Sequence, residues 1–314
     1  MRLYSLLAAA KINLYLEIVG SRPDGFHELI MVMQSVSLAD RVTVRSIGVD
    51  QIRVQCDHPL VPADPSNLAY RAAALLVEKF PGVMAKLGGV EITLEKQIPV
   101  GAGLAGGSGN AAAVLVGLDL LWQLGLTQRE LQELGAELGS DVPFCISGGT
   151  AIATGRGEQL DPLQGSDALY VVLAKYESEL VSTPWAYQTY RAEFGATYRA
   201  DVREFEVRRS QVRAGAMVSA LAHHNSAAIG QHLANDLEKV VLPAHPKTAE
   251  LKAVMTNLGG LGTLMSGSGP TVFTLVDTAA EAEAIAQQLK AKIPDPDLGV
   301  WIAQFVPTGV QLTP

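Results

Sequence analysis

The stretch PVGAGLAGGSGNAAAVL, residues 99–115, places five glycines and one serine directly ahead of an apolar, alanine-rich run. Glycines leave backbone N–H groups uncovered, and a helix N-terminus adds partial positive charge, so the pattern suits a phosphate cradle running into a helix. A packing turn between strand and helix is the plainer alternative, but it asks for one or two glycines rather than five. Gly101, Gly103 and Gly106 also match G-x-G-x-x-G, the dinucleotide-binding pattern. A strand leading into that pattern should be apolar on both faces. Here Val90, Ile92 and Leu94 alternate with Glu91, Thr93 and Glu95, which describes a strand with one wet face, and Pro99 then separates it from the glycines. GGSGN stands where a P-loop needs GK[ST]. The loop carries no lysine or arginine, so a bound polyphosphate must find its cation elsewhere. Ser108 can cap the helix or offer its hydroxyl to a phosphate or to Mg²⁺, and both roles stay open.

Working outward, 314 residues suit two domains of ordinary size. A composition of 48% hydrophobic and 18% charged residues is that of a globular chain. The net charge of −8 argues against non-specific nucleic-acid binding, so any anionic ligand has to be met by a few local donors. Cys56 and Cys145 cannot staple a chain this long and read as reduced thiols. The histidines, the pair His223–His224 included, show no metal-ligand spacing. MRLYSLLAAAK mimics a secretory leader, but the apolar pattern continues as INLYLEIVG, which alternates like a strand and marks the start of the fold. No apolar run is long enough to span a bilayer, and a cytoplasmic protein is expected.

Strands are expected in AAKINLYLEIVG, LIMVMQSVSLADRVTVRSIG and VEITLEKQI, with a helix in SNLAYRAAALLVEKF capped by Ser66 or Asn67. NAAAVLVGLDLLWQLG is apolar nearly all round and predicts a buried helix ending at Gly125. TQRELQELGAELG opens with the capping box Thr127–Glu130 and stops at Gly139. A core strand is expected in DALYVVLAKYES, with a domain boundary over 159–165. Beyond it lie a charged segment, 198–215, that reads as solvated surface, and helices over 216–225 and 229–239. TAELKAVMTNLGG, the strand TVFTLVD, the helix AAEAEAIAQQLKAK and the strand GVWIAQFVP follow. Helices and strands mix in both halves with no repeat, so two α+β domains fit, 1–160 and 161–314.

Three more spots bear chemistry. In the first strand Ile12, Leu14, Leu16 and Ile18 fall on one face, Lys11, Asn13, Tyr15 and Glu17 on the other. Lys11 and Asn13 are therefore neighbours on a polar face, either solvated or supplying the missing cation. Asp141, in LGSDVPFCISGG, suits the N-cap of a short helix with proline in its first turn. MSGSGPTVF, 265–273, is a turn into a strand or a second phosphate contact.

Together these segments resemble the GHMP kinase superfamily, which has a lysine-bearing first strand, a P-x-G-x-G-L-x-G-G-S-[SG]-[ND]-A loop and a late G-[ST]-G loop, in that order. AKINLYLEIVGSRPDGFHEL, SNLAYRAA, GSDVPFC and NDLEKVVLP are similar to the branch that acts on cytidine diphosphate methylerythritol; the resemblance leaves only 198–215 unplaced. The resemblance implies a two-domain fold, ribosomal protein S5 domain 2-like then ferredoxin-like, with the N-terminal domain (1–160) binding ATP and the C-terminal domain (161–314) the substrate. It implies ATP- and Mg²⁺-dependent phosphorylation of an alcohol, here the 2-hydroxyl of the methylerythritol moiety. By position, Lys11 and Asp141 are the catalytic pair, with Lys11 orienting an aspartate that receives the hydroxyl proton late in transfer. Pro99, Gly101, Gly103, Leu104, Gly106, Gly107 and Ser108 hold the phosphates of ATP, with Asn67, Leu68 and Lys96 near its adenosine. Asn13, Phe26, His27, Pro184 and Tyr187 meet the substrate, Trp185 competing with Tyr187 for the cytosine, and Gly267, Ser268 and Gly269 form the second loop. Gly109 departs from the family, many members of which have a second serine there, and so removes one hydroxyl. The implied partner is a small molecule, with no nucleic acid and no membrane, and the protein a monomer or weak homodimer. DGFHEL and the paired aromatics weigh against a mevalonate- or homoserine-type kinase. Lys11 together with Asp141 weighs against a non-catalytic sensor.

Overall fold

The computed structural model describes residues 2–165, 169–199 and 201–313, the side chain of Val202 excepted. The leader-like opening is core sheet. Strand β1, Leu3–Ser21, pairs antiparallel with β2, His27–Ile47, and buries Leu6, Ala8 and Ala10 completely. β3 (Ile52–Cys56) runs parallel to β4 (Gly89–Glu95), which pairs antiparallel with β2. Between them α1 (Leu68–Lys79) starts at Asn67, whose side chain accepts the N–H of Ala69, and the short α2 (Val83–Leu87) follows. β4 has the expected single dry face: Val90, Ile92 and Leu94 are buried against α1 and α3 (Gly106–Trp122). α3 is buried on nearly every side. It ends before Gly125, because Gln123 turns left-handed (φ 54°) and closes its N–H on the carbonyl of Asp119. α4 (Gln128–Leu138) opens with the Thr127–Glu130 capping box and stops at Gly139. After α5 (Val142–Ser147), β5 (Thr150–Gly155) pairs with β2, and β6 (Gln159–Leu163) with β5.

The strand expected from residue 167 is β7, Tyr170–Tyr176; Asp167 and Ala168 lie outside the described residues. Then come α6 (Thr183–Phe194), α7 (Val202–Arg213), α8 (Ala216–Ala222), α9 (Ser226–Gln231), β8 (Ala234–Asn235), α10 (Glu238–Ala244) and α11 (Pro246–Asn257). β9 (Gly262–Met265), β10 (Val272–Val276), α12 (Ala279–Lys292), β11 (Leu298–Gln304) and β12 (Val310–Leu312) complete the chain. Four antiparallel strands, in the order β11-β7-β10-β9, form one sheet. Leu251 and Met255 of α11, with Ile285 and Leu289 of α12, pack on its Val172, Ala174, Val272 and Val276. This is the ferredoxin-like layer. The other sheet has eight strands, and β8 and β12 both return to it beside β1.

Three expectations need correction. A helix over 229–239 is interrupted, because Ala234 and Asn235 extend to pair with Tyr15 and Leu16 of β1. The single-face alternation of β1 is also wrong. A bulge at Leu14 shifts the register, so Ile12 and Leu14 enter one core cluster and Leu16 and Ile18 another.

The charged segment is not merely solvated. Apart from Ala200, outside the description, it supplies α7, which docks on β1. Arg208 Nε reaches both carboxylate oxygens of Glu17 at 2.8 and 2.9 Å, and the ring of Phe205 lies against Gly20. A side chain at Gly20 would meet Phe205 Cε1 at 2.8 Å and the carbonyl of Arg199 at 2.9 Å. Gly20→Ala should therefore cost about 1–3 kcal/mol in chemical denaturation by overpacking, with ATP binding unchanged.

Candidate functional site

The bulge in β1 decides which side chains share the site. It turns Leu16 to the same side as Lys11 and Asn13, and all three line a cavity of about 720 Å³. Lys11 is almost fully buried; its ammonium donates to Asn13 Oδ1 at 2.8 Å and to the carbonyl of Gly103 at 3.1 Å. Asp141 Oδ2 lies 3.7 Å from the same nitrogen. Asp141 does occupy the N-cap position of α5, yet its side chain makes no capping bond. Capping needs an extended backbone, and at φ −84°, ψ −14° that condition fails. The carboxylate is left to pair with Lys11 and face the cavity.

Along residues 101–105 the glycine loop alternates into left-handed backbone, at Gly101 (φ 63°), Gly103 (φ 72°) and Ala105 (φ 58°). Helix α3 then starts at Gly106 with Ala105 as its cap, so Ser108 sits inside the first turn and is not the cap. Gly103 is pinned by packing as well: a Cβ there would stand 2.3 Å from the carbonyl of Ser266 in the second glycine loop. The two loops thus press backbone to backbone, and Ser266 Oγ donates to the Gly103 carbonyl at 3.2 Å. NDLEKVVLP holds the second loop in place. Asn235 Nδ2 donates to the carbonyls of Met265 and Gly267, both at 2.8 Å, and Asp236 Oδ2 accepts the N–H of Ile18 on β1.

At another corner His27 is buried, and its Nε2 has no hydrogen-bond partner among the described residues. Burial, helped by the charge of Arg191, lowers its pKa to about 4, so the ring is neutral near pH 7. Tyr187 lies beside it with ring centroids 5.2 Å apart, and Tyr198 meets it edge-on. Phe26 is half exposed, with the Arg156 guanidinium 4.9 Å over its ring. Trp185 does not line the cavity; it packs edge-on against His245.

Every site residue expected from the sequence lines this cavity except Gly269, whose open side is filled by Met265 Sδ. Two expectations change in kind. Lys96 does line the wall, but its ammonium is held by Asp40, and by Asn110 Oδ1 at 3.1 Å. Position 109 faces β1 rather than the cavity: a Cβ there would touch Ala8 at 3.5 Å, so its glycine removes no hydroxyl from the phosphate side. Asp40 went unnoticed in the sequence. Fully buried, it also accepts the N–H groups of Gln97 and Ile98 and the amide of Asn110, tying both ends of the glycine loop to β2. Nothing local marks it, since its partners lie far along the chain.

Family models for the GHMP kinases N terminal domain and the GHMP kinases C terminal match residues 67–149 and 217–295. The 4-diphosphocytidyl-2-C-methyl-D-erythritol kinase of Nostoc punctiforme is 60% identical over 314 residues, covering 100% of this chain and 99% of its own. The enzyme of the same name from Trichodesmium erythraeum is 59% identical over 312 residues, covering 99% of each. The chain belongs to this kinase family. A crystal structure of a 4-(cytidine 5'-diphospho)-2C-methyl-D-erythritol kinase superposes with a TM-score of 0.73 at 33% identity, over 96% of this chain and 98% of that one. Homoserine kinase from Cytophaga hutchinsonii superposes with a TM-score of 0.74 over 100% and 98%, but at 20% identity it shares the fold alone. Family membership makes the protein an ATP-dependent small-molecule kinase.

The Asp40–Lys96 pair is buried on both sides. Asp40→Ala should cost about 3–5 kcal/mol in denaturation, since it strands a buried ammonium. The Asp40→Asn, Lys96→Met double variant removes both charges and should recover most of that loss.

Proposed function

We infer that this chain transfers the γ-phosphoryl group of ATP to the 2-hydroxyl of 4-diphosphocytidyl-2-C-methyl-D-erythritol, in the non-mevalonate route to isoprenoid precursors. One observation carries the inference: a single cavity joins a glycine-loop helix N-terminus, a buried Lys11 paired with the cavity-facing Asp141, and an imidazole whose Nε2 has no hydrogen-bond partner among the described residues. The pair links the two ends. Lys11 bonds the glycine loop, and the charge of Asp141 reaches Tyr187.

The N–H groups of 101–108 suit the phosphates, while Asn67 and Leu68 stand on the wall that would meet the adenosine. Neutral His27 offers one N–H donor and one acceptor to a cytosine edge, and the Phe26 and Tyr187 faces suit its ring. Lys11 neutralises charge near the transferring group and holds Asp141 in place. Asp141 orients the hydroxyl and receives its proton late, because a carboxylate is too weak to strip an alcohol beforehand. Among the described residues no three His, Cys, Asp or Glu side chains form a metal-holding group, and Asp141 is the only acidic residue on the cavity wall. That donor set fits Mg²⁺ bound mainly by phosphate oxygens and water, with the Ser108 hydroxyl as the protein's contribution. Bound there, Mg²⁺ would supply charge neutralisation. In this scheme residues 1–160 hold the nucleotide, and 161–314 contribute Pro184, Tyr187 and the second glycine loop. The enzyme works in the cytoplasm on a soluble small molecule, without nucleic acid or membrane, as a monomer or weak homodimer. No helix among the described residues is long and apolar enough to cross a membrane.

ATP consumption against a panel of alcohols tests the whole proposal: only the cytidylyl methylerythritol should give full turnover. Asp141→Asn keeps the shape and removes the base. It should lower kcat by about 10²–10⁴-fold with an unchanged melting temperature. A near-normal kcat would return Asp141 to a structural role.

For recognition, Tyr187→Ala should raise KM for the cytidylyl substrate by roughly five- to a hundred-fold, the worth of one base–aromatic stack, and leave KM for ATP alone. Trp185→Ala should leave both KM values near normal. The reverse pattern would move the stacking role to Trp185.

A further inference from the structure

Under the reading above, two polyanions share one cavity in a chain whose net charge is −8. Among the described residues four lysines and arginines line it: Lys11, Lys96, Arg156 and Arg191. Lys96 is closed in by Asp40 and Asn110, and Lys11 is held between Asp141 and the glycine loop. Neutral His27 adds no charge. Two guanidinium groups are left over.

Both stand at the corner where the base would bind. Arg156, just beyond β5, lies over the Phe26 ring. Its nearest carboxylate is Glu158, 4.0 Å away, and that group already accepts the Arg156 backbone N–H at 2.7 Å. Asp24, which also feels the charge of Arg156, is bonded to Arg22. Arg191 lies one helical turn beyond Tyr187 on α6. Its Nη2 donates to the carbonyl of Gly25 at 2.8 Å, and its charge helps to lower the pKa of His27. The guanidinium also sits beside the Tyr198 hydroxyl; with five donors, it keeps part of its fork for a ligand.

We propose that Arg156 and Arg191 form a second phosphate-recognition site, taking the diphosphate of the nucleotide-bearing substrate while the glycine loop takes ATP. In a cytidine diphosphate ester the phosphates follow the base by one ribose, so cations flanking the base corner meet them. Arginine suits the task because its planar fork binds phosphate oxygens in pairs. The proposal rests on the base-recognition reading of His27 and Tyr187, and it adds the residues that distinguish a nucleotide from a nucleoside there.

The test compares CDP with cytidine as competitors of the cytidylyl substrate, in the intact enzyme with ATP turnover as readout. The wild type should bind CDP about a hundred-fold more tightly than cytidine, the worth of two charge-assisted contacts. Arg156→Met should cut that preference about ten-fold, and the Arg156→Met, Arg191→Met double variant should abolish it, with KM for ATP unchanged. Arg191→Lys keeps the charge but loses the fork, and should keep only part of the preference. Added salt should weaken CDP but not cytidine in the wild type, and neither in the double variant. If the double variant does not fold, Arg156→Met decides alone, because its side chain reaches the surface. An unchanged CDP-to-cytidine ratio in folded Arg156→Met overturns the proposal. So does an equal loss of both ligands, which would mean that Arg156 only props Phe26. Equal binding of CDP and cytidine by the wild type overturns the arginine site and spares the base reading; failure of both to compete removes the two together.

Discussion

A lysine ammonium buried in a β-sheet is costly unless its hydrogen bonds and its charge are both met. Lys11 is in that position on β1, with Asn13, the carbonyl of Gly103 and Asp141 around it. Those partners come from the same strand, the first glycine loop and the start of α5. Satisfying one nitrogen therefore brings three distant stretches of chain to one point. β1 can bear this role because it is held on several sides, by β2, β12 and the short β8.

The glycine loops owe their composition to two demands that coincide. Under the proposed function Gly103 would offer its N–H to an anion, and it lets the second loop approach to where a Cβ would collide with the Ser266 carbonyl. Neither loop carries a cation of its own, so each is braced from outside by acidic or amide side chains. Asp40 gathers the residues before the first loop and the helix after it. Asn235, Asp236 and Glu238 tie the second loop and its strand to the rest, Glu238 by accepting the N–H of Met265 at 2.9 Å. The charge that faces ligand is thereby confined to a few groups: Lys11, Asp141 and the two arginines near Phe26.

Much of the fold was legible because its signals are local. The capping box at Thr127, the Asn67 cap and the alternation of β4 each depend on residues a few positions apart. The bulge at Leu14, the short strand at Ala234 and the docking of α7 depend on partners far along the chain, and on these the sequence pattern misled. The site divides in the same way. The site residues named from the sequence lie on the cavity wall, Gly269 excepted. Asp40, Arg156 and Arg191 stood in no motif and emerged only once the chain was folded.

From its sequence alone this protein is determined to be a two-domain α+β chain with a glycine-rich loop that carries no lysine or arginine. Composition, helix caps and strand periodicity act within a few residues, and one chain is enough to show them. Tertiary structure decided which charges are spent and which are free. It turned Lys96 inward to Asp40 and left His27 Nε2 without a hydrogen-bond partner among the described residues. It also kept Asp141 at the N-cap of α5 without a capping bond, its carboxylate paired with Lys11 instead. Electrostatic and hydrogen-bond satisfaction act through space at a few ångströms, between residues as far apart in the chain as Lys11 and Asp141, and no periodicity in the sequence records such a distance.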